Sequence, residues 1–177
     1  STLYGEIPIA HIGYWIAGIF AVTATRFFLF RAYVRNHKNA VCPSFWLRWF
    51  IALTALAGTM WGIVGTVLLP PSGSPFQLVV VTALVAIIAT GMFSLSTFLG
   101  AYAALALPAL GPVITTHFLS ANRADHFTAF TLAVFLLVAL GAARRHAMES
   151  RRSLELNLTV QALAAENEEA RRVADAS

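Results

Sequence analysis

The feature that most constrains this chain is the stretch between Arg48 and Arg123, which holds no Asp, Glu, Lys or Arg. A water-soluble domain covers its surface with charged side chains, and 74 consecutive residues without one cannot do so. Over the whole chain 58% of the residues are hydrophobic and 11% are charged, against about 25% charged in an ordinary soluble domain. These values exclude soluble enzymes and intrinsic disorder, and they indicate an integral membrane protein.

Five apolar segments are each long enough to cross a bilayer as a helix. They cover residues 7–33, 45–69, 76–95, 101–119 and 127–143. The predicted fold is therefore all-α, a transmembrane sensor bundle of about five helices over residues 1–143. Pro108 and Pro112 lie inside the fourth segment, where neighbouring helices must contact the carbonyl groups that the prolines leave unbonded.

Basic residues gather at one predicted side of the membrane. Arg31, Arg35 and Lys38 mark the end of the first segment, Arg144 and Arg145 follow the fifth, and the loop at 70–75 carries no charge. By the positive-inside rule, five spans then place the N-terminus outside and the C-terminus in the cytoplasm. The same placement beside apolar segments argues against nucleic-acid binding, despite the net charge of +4.

Residues 144–177 are polar and helix-prone, and they continue the fifth segment without a Gly or Pro. The heptad a and d positions alternate at spacings of three and four, as a coiled-coil seam requires. These positions are Ser153, Leu156, Val160, Leu163, Asn167, Ala170 and Ala174. Val160 at a with leucine at d favours a parallel dimer, and Asn167 fixes its register. We predict a short dimerising stem; a solvated single helix is the alternative.

Residues 165–177 resemble the helix that precedes the catalytic core in bacterial membrane-bound sensor histidine kinases, above all hybrid kinases with a polytopic membrane sensor. The membrane part is similar to that sensor region at Trp61, Gly62, Leu69, Pro70, Gly91, Pro108, Pro112, Arg144, Arg145 and His146. The resemblance implies a sensor and homodimerisation module of a two-component system in the inner membrane. It also implies a sixth span before Ser1 and an output domain after Ser177. Relatives of this layout carry a diguanylate cyclase output instead.

Four residues are candidates for ligand binding or sensing: His11, Arg26, Trp61 and His117. Arg26 lies inside an apolar segment, where its guanidinium either snorkels to the membrane surface or makes a polar contact with Thr23, Thr90 or Ser94. Trp61 lies beside the GxxxG pair Gly58 and Gly62, whose small side favours close helix packing. The tryptophan then either packs between helices or lines a pocket.

His11 and His117 are predicted at the outer ends of their helices, with Glu6, Asp125 and His126 on the same side. Such a cluster titrates near neutral pH, holds a metal, or consists of interfacial histidines without a ligand. We predict the last of these, and hence no metal and no cofactor. Because the sequence shows no nucleophile–base pair, carboxylate pair or phosphate loop, we predict no enzyme activity for this chain.

Two other functions stay open from the residues alone. A small transporter or channel subunit needs intramembrane charge and an internal repeat, and we see no clear repeat. A purely structural anchor needs neither. The predicted partners are the lipid bilayer, a second copy of the chain, a downstream output domain and a hydrophobic or amphipathic small molecule.

Overall fold

The computed structural model describes residues 9–36, 43–67 and 75–175. It contains the helices α1 (Ile9–Asn36), α2 (Pro43–Val64), α3 (Pro75–Leu95), α4 (Leu99–Phe118) and α5 (Arg123–Asp175). No strand occurs within these three ranges. The predicted all-α fold is confirmed for this part of the chain.

Each of the five helices contains a segment long and apolar enough to span a membrane. The segments lie at 13–35, 44–64, 77–95, 99–118 and within 123–164. The five spans expected from the sequence are therefore present as helices, and the largest differences from the predicted span ends are at the end of α2 and the start of α5. The helix α2 stops at Val64 rather than 69, because residues 65–67 form a turn in which the Val67 amide donates to the Ile63 carbonyl.

The start of α5 lies four residues before the predicted Phe127, because a polar cap begins the helix there. The side-chain Oδ1 of Asn122 accepts a hydrogen bond from the Ala124 amide at 3.1 Å. Asp125 places a carboxylate in the first turn, where the positive end of the helix dipole favours it. The apolar pattern alone could not show this polar first turn.

The central helix of the bundle is α4, which packs against α2, α3 and α5. Its buried side chains form the middle of the hydrophobic core. They are Ala101, Tyr102, Leu105, Ala106, Ala109, Leu110 and Val113. By contrast, α1 packs mainly on α2, and it shares no extended contact with α3 between the described residues. The bundle therefore has a gap between α1 and α3.

The backbones of α2 and α4 meet at two glycines. A Cβ added at Gly62 would overlap the carbonyl oxygen of Pro108, and one at Gly58 would overlap the carbonyl oxygen of Leu105. Pro112 has no N–H, so the Pro108 carbonyl lacks its usual intrahelical donor. The glycine hydrogen in place of a Cβ points at that oxygen, a weak Cα–H···O contact of about 0.5–1 kcal/mol. The close packing predicted from GxxxG is thus confirmed, and α4 is its partner.

The last helix, α5, is continuous over 53 residues, about 80 Å at 1.5 Å per residue. Its first part packs on α4 through small and branched side chains. These buried residues are Ala129, Leu132, Leu136, Ala139, Ala143 and Ala147. Residues 151–164 are all exposed. The transition from bundle to exposed helix occurs without a break in the helix.

Candidate functional site

Two tryptophans join α1 to α2. The indole N–H of Trp15 donates a hydrogen bond to the carbonyl oxygen of Met60 at 2.9 Å. The ring of Trp15 meets the ring of Trp61 edge to face, with centroids 4.9 Å apart. Trp15 of α1 therefore takes part in the contact between these helices. The contact fixes the position of Trp61 at the rim of a cavity.

The cavity, here called the Arg26 cavity, lies in the gap between α1 and α3 and has a volume of about 360 Å³. It is lined by Ile19, Val22, Thr23, Arg26, Ala57, Trp61, Ala86, Ile87, Thr90, Gly91, Ser94, Leu95 and Leu105. The lining residues of α3 run from Ala86 to Leu95, nine rises of about 1.5 Å, so the cavity extends about 13 Å along the bundle. It therefore brings Arg26 and Trp61, two of the four candidates, into one site.

The polarity of the Arg26 cavity changes along its length. One end contains Arg26 and Ser94, with Thr90 about one turn away, whereas the other end is closed by Ile19 and Trp61. Because Arg26 precedes the basic residues at the end of α1, the polar end lies toward the predicted cytoplasmic side. The cavity is amphipathic, and its polar end is on the same side as the basic residues.

The guanidinium carbon of Arg26 lies over the ring of Phe50, 5.2 Å from its centroid, in a cation–π contact. Among the described residues its N–H groups have no hydrogen-bond acceptor, and none of the residues lining the cavity is Asp or Glu. The hydroxyl of Thr90 donates to its own helix at the Ala86 carbonyl, 2.7 Å away. Arg26 thus lines the same cavity as Thr23, Thr90 and Ser94. It forms no hydrogen bond with their hydroxyl groups in the described part of the chain.

A second polar site ties three helices together at the opposite end of the bundle. We call it the Asp125 cluster; it comprises Gln77 of α3, His117 of α4, Ser120, Asp125 and His126. Gln77, His117 and Asp125 are all buried. Since burial of unpaired polar groups is costly, the hydrogen bonds among them hold the ends of these helices in register.

The donors and acceptors of the Asp125 cluster have one consistent direction. The His117 Nδ1 lies 2.9 Å from the Val113 carbonyl, which only accepts, so this nitrogen carries the hydrogen. The amide nitrogen of Gln77 then donates to the His117 Nε2 at 3.2 Å and to the Asp125 Oδ1 at 3.3 Å. The Ser120 hydroxyl donates to the Asp125 Oδ2 at 2.6 Å. In this arrangement the His117 Nε2 accepts the hydrogen bond.

We expect Gln77→Leu to lower the free energy of unfolding by about 1–3 kcal/mol, because buried His117 and Asp125 each lose a donor. Thermal unfolding in detergent micelles measures the loss. The matched control is Thr116→Val, since the exposed Thr116 hydroxyl bonds only to the Pro112 carbonyl of its own helix. In a double variant with His117→Phe the cost should be less than additive. Equal unfolding temperatures for Gln77→Leu and Thr116→Val would contradict the role of the cluster.

The side chain of His11 is outside the described residues, as is Glu6, so the predicted location of His11 on the same side as His117 stays a prediction. His126 donates from Nε2 to the Ser120 carbonyl at 2.7 Å. Within the described ranges no three His, Cys, Asp or Glu side chains come close enough to hold a metal.

The stem residues Leu156, Val160 and Leu163 are each more than half exposed on α5. The Asn167 side chain donates to the Leu163 carbonyl at 2.9 Å in its own helix. The helix predicted for the stem is present, with its apolar residues open to solvent. The dimer seam itself stays a prediction.

Gln77 is the functional residue that the sequence interpretation missed. It is the only Asn or Gln between Arg48 and Asn122, and an isolated amide in an apolar segment is a signal for interhelical hydrogen bonding.

Comparison of the chain with protein-family models, curated proteins and solved structures finds no match.

Proposed function

We propose that the chain is the membrane sensor and signal-transmission module of a bacterial two-component histidine kinase. In this proposal the bundle is the detector in the inner membrane. The exposed part of α5 is a cytoplasmic, homodimeric helix leading to a kinase domain. The basic residues Arg31, Arg35, Arg144 and Arg145 support this orientation under the positive-inside rule.

The observation that carries the proposal is the continuity of α5. One uninterrupted helix is packed against the bundle up to Ala147 and is exposed over residues 151–164. A rigid helix transmits a shift of its packed part to its exposed part, and packed helices move between discrete arrangements. The exposed apolar residues Leu156, Val160 and Leu163 supply a surface for a second copy.

A path from the cavity to α5 also supports the proposal. The Arg26 cavity is walled by α1 and α3, and its floor includes Leu105 of α4. The helix α4 also packs on α5, whose residues in the hydrophobic core include Leu132 and Leu136. A change in the cavity therefore needs to move only one packed helix to reach α5. The Asp125 cluster joins the same three helices, α3, α4 and α5, at their other end.

The test is a chimera that joins residues 1–177 to the catalytic core of a histidine kinase. Inserting one alanine after Ser153 rotates the following helix by about 100° and moves the seam off its face. We expect autophosphorylation in membrane vesicles to change severalfold for insertions of one to four residues. An insertion of seven, the matched control, should return it toward the original level because the heptad phase is restored.

Output that stays the same across insertions of one to four residues would overturn the stem mechanism. A diguanylate cyclase core in place of the kinase core would depend on the same stem. The chimera thus tests transmission through α5, and it does so separately from the identity of the output domain.

A further inference from the structure

The Arg26 cavity has the shape and position of a site that is entered from the lipid. It lies where α1 and α3 do not pack on each other, so the cavity opens between these two helices. Its volume of about 360 Å³ is within the range of small-molecule sites, about 300–1,000 Å³. A molecule already dissolved in the membrane can therefore enter sideways between the two helices.

The charge in the cavity selects an anion. Arg26 offers five N–H donors, and no carboxylate lines the cavity to accept them. A cation–π contact with Phe50 uses the face of the guanidinium and leaves its edges available. A carboxylate accepts from such an edge through two parallel hydrogen bonds, a geometry that suits arginine better than any other side chain.

The apolar end of the cavity selects the rest of the molecule. Ile19, Ile87 and Trp61 bound a part of the cavity that contains no charged group. An alkyl chain lying there would point away from the basic residues, with its headgroup at Arg26. The headgroup would face the side of the basic residues but would lie deeper than that of a lipid in this leaflet.

The depth of Arg26 distinguishes a carboxylic acid from a phospholipid. Arg26 lies nine residues, about 13.5 Å along the helix axis, before Arg35, where the membrane segment of α1 ends. A phosphodiester headgroup is permanently charged and costly to bring to that depth. A carboxyl group can enter as the neutral acid and, beside the guanidinium, release its proton to the aqueous phase on the side of the basic residues.

We propose that the Arg26 cavity binds the carboxylate of a single-chain, fatty-acid-like amphiphile. Arg26 holds the headgroup, and the chain lies along Ile19, Ile87 and Trp61. The proposal that the ligand binds depends only on the cavity. The proposal that this ligand is the stimulus rests on the proposed sensor function. The two claims are therefore measured separately.

Binding is tested on the purified chain in phosphatidylcholine nanodiscs with dibromostearic acid, whose bromines quench tryptophan fluorescence on contact. We expect saturable quenching by the acid, and affinity at least tenfold weaker for its methyl ester, which has the same chain without the charge. Brominated phosphatidylglycerol should bind at least tenfold more weakly than the acid. Equal affinity of the acid and the ester, or of the acid and the phospholipid, would overturn the proposal.

Arg26→Gln should weaken binding of the acid at least tenfold, Arg26→Lys should weaken it less, and Arg31→Gln should leave it unchanged. Arg31 is the matched control because it is an exposed arginine of α1 that does not line the cavity. Ala86→Phe fills the cavity from α3 with Arg26 intact, and should also abolish binding. Wild-type affinity in both Arg26→Gln and Ala86→Phe would place the ligand elsewhere.

The chimera then separates this inference from the proposed function. Binding without any change in autophosphorylation on adding stearic acid would overturn the assignment of the stimulus, while the binding site would stand. Insertion-sensitive output without binding of the acid would overturn the site, while the sensor function would stand.

Discussion

Gly62→Val should prevent α2 from packing on α4 and destabilise the bundle by about 3 kcal/mol or more, near the upper end of overpacking costs. The position is sensitive because the obstacle is the carbonyl oxygen of Pro108, which belongs to a helix backbone and cannot rotate away as a side chain could. The affected contact joins the central helix to α2, and so to α1 as well. We expect aggregation on extraction, or a large fall in the unfolding temperature in detergent.

The matched control is Gly111→Ala. A Cβ at Gly111 has nothing within 4 Å, and the position lies inside α4. Replacing a helical glycine by alanine in open space should raise stability by up to about 0.5–1 kcal/mol. If the unfolding temperature of Gly62→Val equals that of Gly111→Ala, the α2–α4 contact is not where the structure places it.

Val160→Cys should form a disulfide with its own copy across the stem, and Leu158→Cys should not. Val160 is an a position of the predicted seam, where a residue of a parallel dimer faces its twin within disulfide reach. Leu158 is an f position, on the outer face of each helix. Both side chains are aliphatic and similarly exposed in a single chain. Only a dimer along this seam would therefore make their cross-linking differ.

The experiment uses membranes treated with a mild oxidant, in a Cys42→Ser background because Cys42 is the only cysteine of the chain. Covalent dimer is read on a non-reducing gel. Cross-linking of Leu158→Cys at the same rate as Val160→Cys would indicate random collision. Absence of a covalent dimer for Val160→Cys would favour the solvated single helix.

The sequence was sufficient for the fold class and for the number of spans. Both follow from long charge-free segments, whose length and hydropathy are local properties. The stop of α2 at Val64 was missed because residues 65–67 carry no charge and a hydropathy pattern does not distinguish an uncharged turn from a helix. The start of α5 was missed for the opposite reason, since its first turn is polar.

The sites depend on helix pairing, which one sequence does not specify. The pair Gly58 and Gly62 predicted close packing, yet nothing local showed that α4 was the partner. For the same reason Arg26 and Trp61 were separate candidates until α1 and α2 were placed side by side. Gln77 bridges residues 40 and 48 positions away in the chain. Such contacts can be identified only when it is known which helices pack against each other.

The length of α5 sets a mechanical ratio. From Arg123 to Arg144 the helix is about 32 Å long, and from Arg144 to Asp175 about 47 Å. If the helix pivots near Arg144, its far end moves about one and a half times as far as the end beside Asp125. If it instead rotates about its own axis, both ends turn through the same angle. An insertion of seven residues lengthens the outer arm by about a fifth while keeping its face. Amplitude and phase of the transmitted motion are therefore separately adjustable in this one helix.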